Sequence, residues 1–301
     1  MTLVCEGCFK EKPEGFFLDP MLKSNLDILL KAITKDNDFV LLVSGSGQVR
    51  VGKSVLAMQV GAYLTDAINK AEGIGNTFTT DNFVFRGTEL VKKAKDLPKY
   101  SCLVYDEAGA DLLGRKVMHQ ATQSVLDFFR ECGQLNLFLI IVLPDFFDLP
   151  KGIAITRSTF LLDVDYAEKF NRGRFRLYGP RNKKMLYLIG KRYLDYDAVK
   201  PDYPNGSFTN FYPIDESRYR DLKLSALTGR KIEELNRQNL KELKAISQRN
   251  AFAYYVIDVL KMKQRQVAIA INERDETIAT WRQTHLLNHP NLRDISLNSV
   301  T

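Results

Sequence analysis

Between Gly47 and Ser54 the chain reads Gly-Gln-Val-Arg-Val-Gly-Lys-Ser, which fits G-x-x-x-x-G-K-[ST] without a mismatch. These residue types at this spacing suit the holding of a chain of phosphates. Glycines at Gly47 and Gly52 let the backbone come close to an anion. The N–H groups from Gln48, Val49, Arg50 and Val51 through Lys53, Ser54 and Val55 are expected to wrap it. A helix starting at Lys53 would point its positive end at the same anion. Lys53 is expected to reach the β and γ phosphates, and the Ser54 hydroxyl to hold Mg²⁺. A second pair able to do chemistry is Asp106-Glu107, which closes the run Ser101-Cys-Leu-Val-Tyr105. Asp106 is expected to hold the Mg²⁺ shell through water, and Glu107 to polarise the attacking water.

The elements that position these groups can be read from the pattern. Phe39 to Val43 is an unbroken apolar run with the β-branching of a buried parallel strand. It delivers the chain into the Gly-rich loop. Val55, Met58, Tyr63 and Ala67 recur at roughly helical spacing after Lys53, and the Gly73–Gly75 turn ends that helix. The run before Asp106 is a second strand, with the acids at its carboxyl end, where open α/β sheets bind ligands. Leu137 to Leu143 is a third, next to the acid strand. Pro144-Asp145 ends it at the height of the nucleotide, making Asp145 a candidate γ-phosphate or water sensor. Ser158 to Val164 is a fourth. Helices are expected over Asn25–Ile33, Gly87–Lys95 and Leu112–Cys132, with a short strand over Asn82–Phe85. The pattern is α/β, a largely parallel sheet flanked by helices and followed by a small all-α domain, and its strand–loop–helix opening resembles that of a RecA-like P-loop nucleotide-binding core.

Composition fits a globular chain of one or two domains: 301 residues, 45% of them hydrophobic. The net charge of +7 suits a polyanionic partner. No apolar run approaches the roughly 18–20 residues that span a bilayer, and the N-terminus lacks a signal-peptide pattern. With Cys102 and Cys132 in core-like runs, the four cysteines point to a reducing, cytoplasmic setting. Cys5 and Cys8 supply half of a tetrahedral metal site, which takes four ligands. Asp106-Glu-Ala-Gly109 mimics the D-x-x-G of GTPases, but a guanine-reading N/T-K-x-D after the sheet is missing. ATP is favoured over GTP.

The order of phosphate loop, Asp-Glu strand, Arg130-Glu-Cys-Gly133 before a buried strand, and Ile155-Thr-Arg157-Ser-Thr-Phe before the next resembles the FtsK/HerA class of P-loop DNA-translocating ATPases. That class includes small versions on viruses and mobile elements. The resemblance covers roughly residues 37–166. Its loop and Asp-Glu pair are specific to P-loop ATPases; the arginine segments are weaker and decide the class. It implies a homo-oligomeric ring, usually hexameric, that hydrolyses ATP and moves double-stranded DNA. It also implies an arginine from one subunit reaching the nucleotide of the next, Arg157 or Arg130, with Arg157 preferred. One departure is Pro144-Asp145, where the class often has Gln.

Beyond this core, Arg174–Tyr178, a Gly179-Pro-Arg-Asn turn and Met185–Ile189 read as a β-hairpin. Arg172, Arg174 and Arg176 fall on one strand face, and Lys183 and Lys184 lie near the tip. Such a hairpin suits phosphate contacts; a charged edge strand that resists aggregation has the same pattern. Tyr196–Tyr212 reads as a loop over the sheet. The expected organisation is an N-terminal arm (1–20), the ATPase domain with its basic hairpin (21–215), a helical connector (216–250) and a helix-turn-helix (251–301). In the last, Ala268 sits where helices cross, Asn272 takes a left-handed turn, and Ile271, Ile278 and Trp281 fill the core. Asp275 caps the second helix, and Thr280 and Arg282 face a DNA groove. A helical hairpin packed on its own protein fits the same residues, and the acids Glu273, Asp275 and Glu276 favour it. Two functions of different class follow: a DNA-moving ATPase motor, and an ATP-switched DNA-binding regulator or replication initiator. A small-molecule kinase fits less well, because no lid is evident.

Overall fold

The computed structural model describes residues 1–9, 13–46, 48, 50–112, 120–166 and 171–292. Gly47 and Val49 of the phosphate loop, and residues 113–119 of the expected 112–132 helix, lie outside the described residues. Two compact units emerge, Met1–Ala226 and Leu227–Thr301.

In the first unit the apolar runs are strands. β1 (Thr2–Val4) and β2 (Phe16–Leu18) form a small antiparallel pair. Then come β3 (Phe39–Ser44), β4 (Phe83–Val84), β5 (Cys102–Tyr105), β6 (Phe138–Val142), β7 (Ser158–Asp165), β8 (Arg174–Tyr178) and β9 (Tyr203–Ser207). Among the described residues these seven form one sheet in the order β4-β5-β6-β3-β7-β8-β9. The first five are parallel, while β8 and β9 are antiparallel additions. The run Phe39–Val43 is continuously apolar because both faces of β3 are covered. Leu41 and Val43 pack with α1 (Pro20–Ile33) and α2 (Lys53–Glu72). Val40 and Leu42 face the opposite layer, which contains α3 (Gly87–Asp96), α5 (Gln120–Glu131) and α6 (Pro180–Gly190); a short α4 (Gly109–Leu112) precedes α5. This is the α/β, largely parallel architecture expected of a P-loop nucleotide-binding fold.

Helix α1 begins five residues before the expected Asn25. Asp19 caps it, accepting from Met21 N at 2.9 Å and Leu22 N at 3.2 Å, and Pro20 supplies the preset first turn. The first twenty residues are more than an arm, since Val4, Phe16 and Leu18 are buried in the main core.

The hairpin expected over Arg174–Ile189 is corrected. Its first half is β8, but its second half is helix α6, started by Pro180. Lys183, Leu186, Tyr187 and Gly190 are buried at helical spacing. β8 pairs instead with β7 and β9. The region read as a loop over the sheet therefore contains the edge strand β9.

Helix α7 (Glu216–Tyr254) begins in the first unit and carries the chain into the second. There, α8 (Gln264–Ala270) and α9 (Asp275–Asn288) close on a small core of Ala253, Val256, Val267, Ala268 and Ile278, with Trp281 against it. Asn272 adopts the left-handed conformation at φ 57°. Two expectations are corrected: Ile271 is exposed, and Arg274 takes the N-cap position, leaving Asp275 in the first turn. The guanidinium of Arg249 lies 4.2 Å over the Trp281 ring.

Candidate nucleotide site

β3 ends at Ser44, and the chain turns sharply before α2 starts at Lys53. Among the described residues of this turn, three have positive φ: Ser46 (48°), Arg50 (59°) and Gly52 (105°). Only Gly52 is free of the Cβ cost there, and a Cβ at that position would also lie 2.9 Å from the Phe208 ring. Such turns aim successive N–H groups to one side. Lys53 folds back over the loop, its Nζ donating to Gln48 O at 2.5 Å. Burial lowers the pKa of its ammonium, an effect opposed by nearby Glu107 and Asp106. The loop is braced from below by Asp163 on β7, fully buried, which accepts from Ser44 Oγ at 3.3 Å and Ser46 Oγ at 3.0 Å.

The acids arrive from β5, two strands away, because β6 lies between β3 and β5. Asp106 is buried, and its Oδ1 accepts from Glu107 N at 2.9 Å. Glu107 itself sits at φ 58°, a conformation that costs a non-glycine residue energy and that collects at functional sites. Ser54 Oγ donates to Asp106 Oδ2 at 3.1 Å, joining the loop to the acid strand.

Helix α7 supplies residues that the sequence reading did not assign. Tyr219 is buried and its hydroxyl donates to Asp106 Oδ2. Burial, then the Asp106 charge, push the Tyr219 phenol above its ordinary range. Lys223 Nζ lies 2.8 Å from Glu107 Oε1, 3.1 Å from Asp106 Oδ2 and 3.4 Å from Ser54 Oγ. Burial works against this ammonium, but Asp106 and Glu107 outweigh it and raise its pKa. Together with Arg50, Lys53, Arg172, Tyr212 and Arg220, these groups line a cavity of about 670 Å³. Nothing in the spacing of α7 marks Tyr219 or Lys223, since a lysine in a charged helix resembles any solvated lysine.

The fit of a magnesium ion here can be tested on the cation that the site already holds. The Lys223 ammonium sits among three oxygens of Ser54, Asp106 and Glu107, the hard donors that Mg²⁺ takes. The donor set fits, and Ser54 and Asp106 are the residues that would hold the ion.

Several expected site residues have other tasks. Asp145 caps the turn after β6: its Oδ1 accepts from Phe147 N at 2.9 Å and from the Tyr196 hydroxyl at 2.8 Å. Its neighbour Pro144 lines the cavity. Arg157 stands at the amino end of β7, the end of the parallel strands away from the loop. It is bonded to Asp38 Oδ2 at 2.5 Å and to Cys132 Sγ at 3.1 Å. Arg130, at the end of α5, is exposed and paired with Asp127 at 2.7 Å.

The basic residues expected to contact DNA divide. Lys183 is fully buried, its Nζ bonded to Ser158 O and Ser158 Oγ, so its assignment to DNA is corrected. Burial lowers its pKa to about 7. Arg176 is corrected too: it is committed to Asp163 at 2.7 Å and Asp197 at 2.6 Å. Arg174 is paired with Asp165 at 3.2 Å but remains partly exposed, and Lys184 is exposed. In the second unit Thr280 is exposed, while Arg282 is held by Asp258 at 2.5 and 2.6 Å.

No family model matches this chain, and no curated protein shows a significant match. Among solved structures, it is similar to the genome packaging NTPase B204 from Sulfolobus turreted icosahedral virus 2. The sulfate complex aligns at 14% identity and TM-score 0.32, and the ATP-gammaS complex at 16% and 0.31. The AMPPCP complex aligns at 15% and 0.30; each alignment covers 49% of this chain and 94% of B204. At such scores these are partial likenesses, and the architecture above rests on the strand order and register of the chain itself.

Proposed function

We propose that this chain is an ATP-hydrolysing, DNA-associated motor subunit that moves or packages the DNA of a virus or mobile element as part of a homo-oligomeric ring. The observation that carries the reading is the convergence of Lys53, Ser54, Asp106 and Glu107 on one cavity at the carboxyl ends of the parallel strands. Lys53 and the loop amides would hold the β and γ phosphates. Ser54 and Asp106 would hold Mg²⁺, which neutralises charge on the phosphoryl group being transferred. Glu107 orients the attacking water and accepts its proton. Lys223 occupies the same Asp106 oxygen that the metal would take, so it must withdraw from Asp106 when nucleotide is loaded. Of the two arginines considered for action on a neighbouring subunit, Arg130 could reach out without first breaking the half-buried pair that Arg157 makes with Asp38. For DNA, exposed Lys184 and partly exposed Arg174 are the candidates in the first unit and Thr280 in the second.

A second reading is favoured by one feature. Tyr219 and Lys223, which touch the acids, lie on the same helix whose far part begins the second unit. That arrangement suits a nucleotide-controlled DNA-binding switch in which turnover is incidental. The deciding experiment measures ATP hydrolysis with and without duplex DNA, and displacement of a triplex-forming strand. Hydrolysis stimulated by DNA, with displacement that needs ATP, supports the motor. Slow hydrolysis indifferent to DNA, with no displacement, overturns it in favour of the switch. Full activity in a Lys53→Ala chain overturns both.

A further inference from the structure

The N-terminal pair β1–β2 has strands of three residues each, too short to be stable alone. The connection between them is built tightly where it leaves β1. Cys5 has φ 57°, although it is not glycine, and Gly7 has φ 76°. Gly7 N donates to Pro13 O at 2.7 Å, and Cys8 N to Cys5 O at 3.2 Å. At Gly15, φ is 77° and a Cβ would lie 2.2 Å from Val4 O, so only glycine fits. This knuckle turns both thiols to one side, against helix α2. There they meet Asp66 of α2, which no local spacing links to them. The two Sγ atoms and a carboxylate oxygen of Asp66 lie within 4.8 Å of one another. Cys5 is buried, Cys8 exposed and Asp66 partly buried, so the cluster opens to solvent on one side. Lys70, one turn along α2, pairs with Asp66 at 2.8 Å.

We infer that Cys5, Cys8 and Asp66 form a metal site for a borderline-soft divalent cation of the zinc type, with water at the fourth position. Two thiolates and a carboxylate are the donor classes that zinc accepts. Metal–ligand bonds of about 2.0–2.3 Å put tetrahedral ligands roughly 3.3–3.8 Å apart, so small side-chain rotations complete the set. Three anionic ligands around a dication leave one negative charge, and Lys70 stands beside it. Binding joins the metal to two sulfurs and one oxygen, and the two thiol protons pass to solvent. The site pins the N-terminal hairpin to α2, the helix whose first turn carries Lys53 and Ser54.

The test uses the full-length chain, reduced and stripped of metal, with Co²⁺ alone as spectroscopic probe and Zn²⁺ alone as competitor. One Co²⁺ per chain with thiolate-to-cobalt charge-transfer absorption, displaced by Zn²⁺, is expected. Zn²⁺ should also slow alkylation of two thiols and raise the Tm. Cys8→Ser, at an exposed position, should abolish the absorption, and Asp66→Asn should weaken Co²⁺ binding by about tenfold or more. The inference is overturned if no charge-transfer band appears, if Cys8→Ser leaves it unchanged, or if Zn²⁺ fails to protect thiols in the unmutated chain. Isolation of Cys5 and Cys8 as a disulfide that excludes metal overturns it as well. None of these readouts depends on nucleotide hydrolysis, so the site and the motor reading fail separately.

Discussion

Lys223 is a cation already held by Asp106, and its competition with Mg²⁺ for that carboxylate can be measured. Replacing Lys223 with Met removes the resident cation. We expect the Mg²⁺ concentration that half-saturates binding of a fluorescent nucleotide to fall several-fold, to about tenfold, in Lys223→Met. An unchanged Mg²⁺ requirement with lost turnover would instead make Lys223 a participant in the reaction. Glu107→Gln should retain nucleotide binding and lose about 10²–10⁴-fold in hydrolysis, as removal of a general base does. Lys53→Ala should weaken binding as well as turnover, which separates the two residues by equilibrium titration. Lys53, Ser54, Asp106 and Glu107 were legible because phosphate chemistry dictates their type and spacing. Lys223, Tyr219, Arg172 and Arg220 were not, because their role comes from where the chain folds back and no local pattern records it. The same limit hid the fate of Arg176, because an alternating basic strand looks alike whether it faces solvent or buried acids, and of Lys183, whose burial against Ser158 no local pattern records.

At the scale of elements, the parallel strands and α2 were readable from apolar runs and the Gly-rich loop. The misreading lay in residues 179–207. Gly179-Pro180 reads as a hairpin turn, but Pro180 presets the first turn of α6. The buried set Lys183, Leu186, Tyr187 and Gly190 carries the helical period, masked because one member is a lysine. β9, Tyr-Pro-Asn-Gly-Ser, has the composition of a turn; it is a strand because it occupies the sheet edge, where Pro204 costs no ladder bond on its open side. Gly206 makes a specific prediction. A Cβ there would lie 2.2–2.5 Å from three ring atoms of buried Phe175. Gly206→Ala should cost about 1–3 kcal/mol by overpacking and lower the Tm by several degrees, measured by scanning calorimetry. A smaller change would mean that the edge strand shifts freely.

At the scale of the whole molecule, the strand order explains why a loop and an acid pair 52 positions apart meet. With β6 between them, β3 and β5 lie about 10 Å apart, and the chain leaving β3 spans that gap to bring Ser54 Oγ, in the first turn of α2, within 3.1 Å of Asp106 Oδ2. The order itself was only partly legible: neighbours such as β5 and β6 follow from the chain, while the edge additions β8 and β9 do not. Stability as a whole should depend on Lys183. Its folded pKa of about 7 lies below the ordinary lysine value of 10.5. Between those values the unfolded chain carries a proton that the folded chain lacks. Stability should therefore climb as pH rises from about 7 toward 10, by up to a few kcal/mol, and decline as pH drops toward 7. Lys183→Met should flatten that part of the curve in urea titrations. The buried amine has a further consequence in heat: refolding at pH 9 ejects about one proton from this position into the buffer. Refolding enthalpies taken in two buffers of different ionisation heat should differ accordingly, and the gap should narrow by about one proton's worth in Lys183→Met.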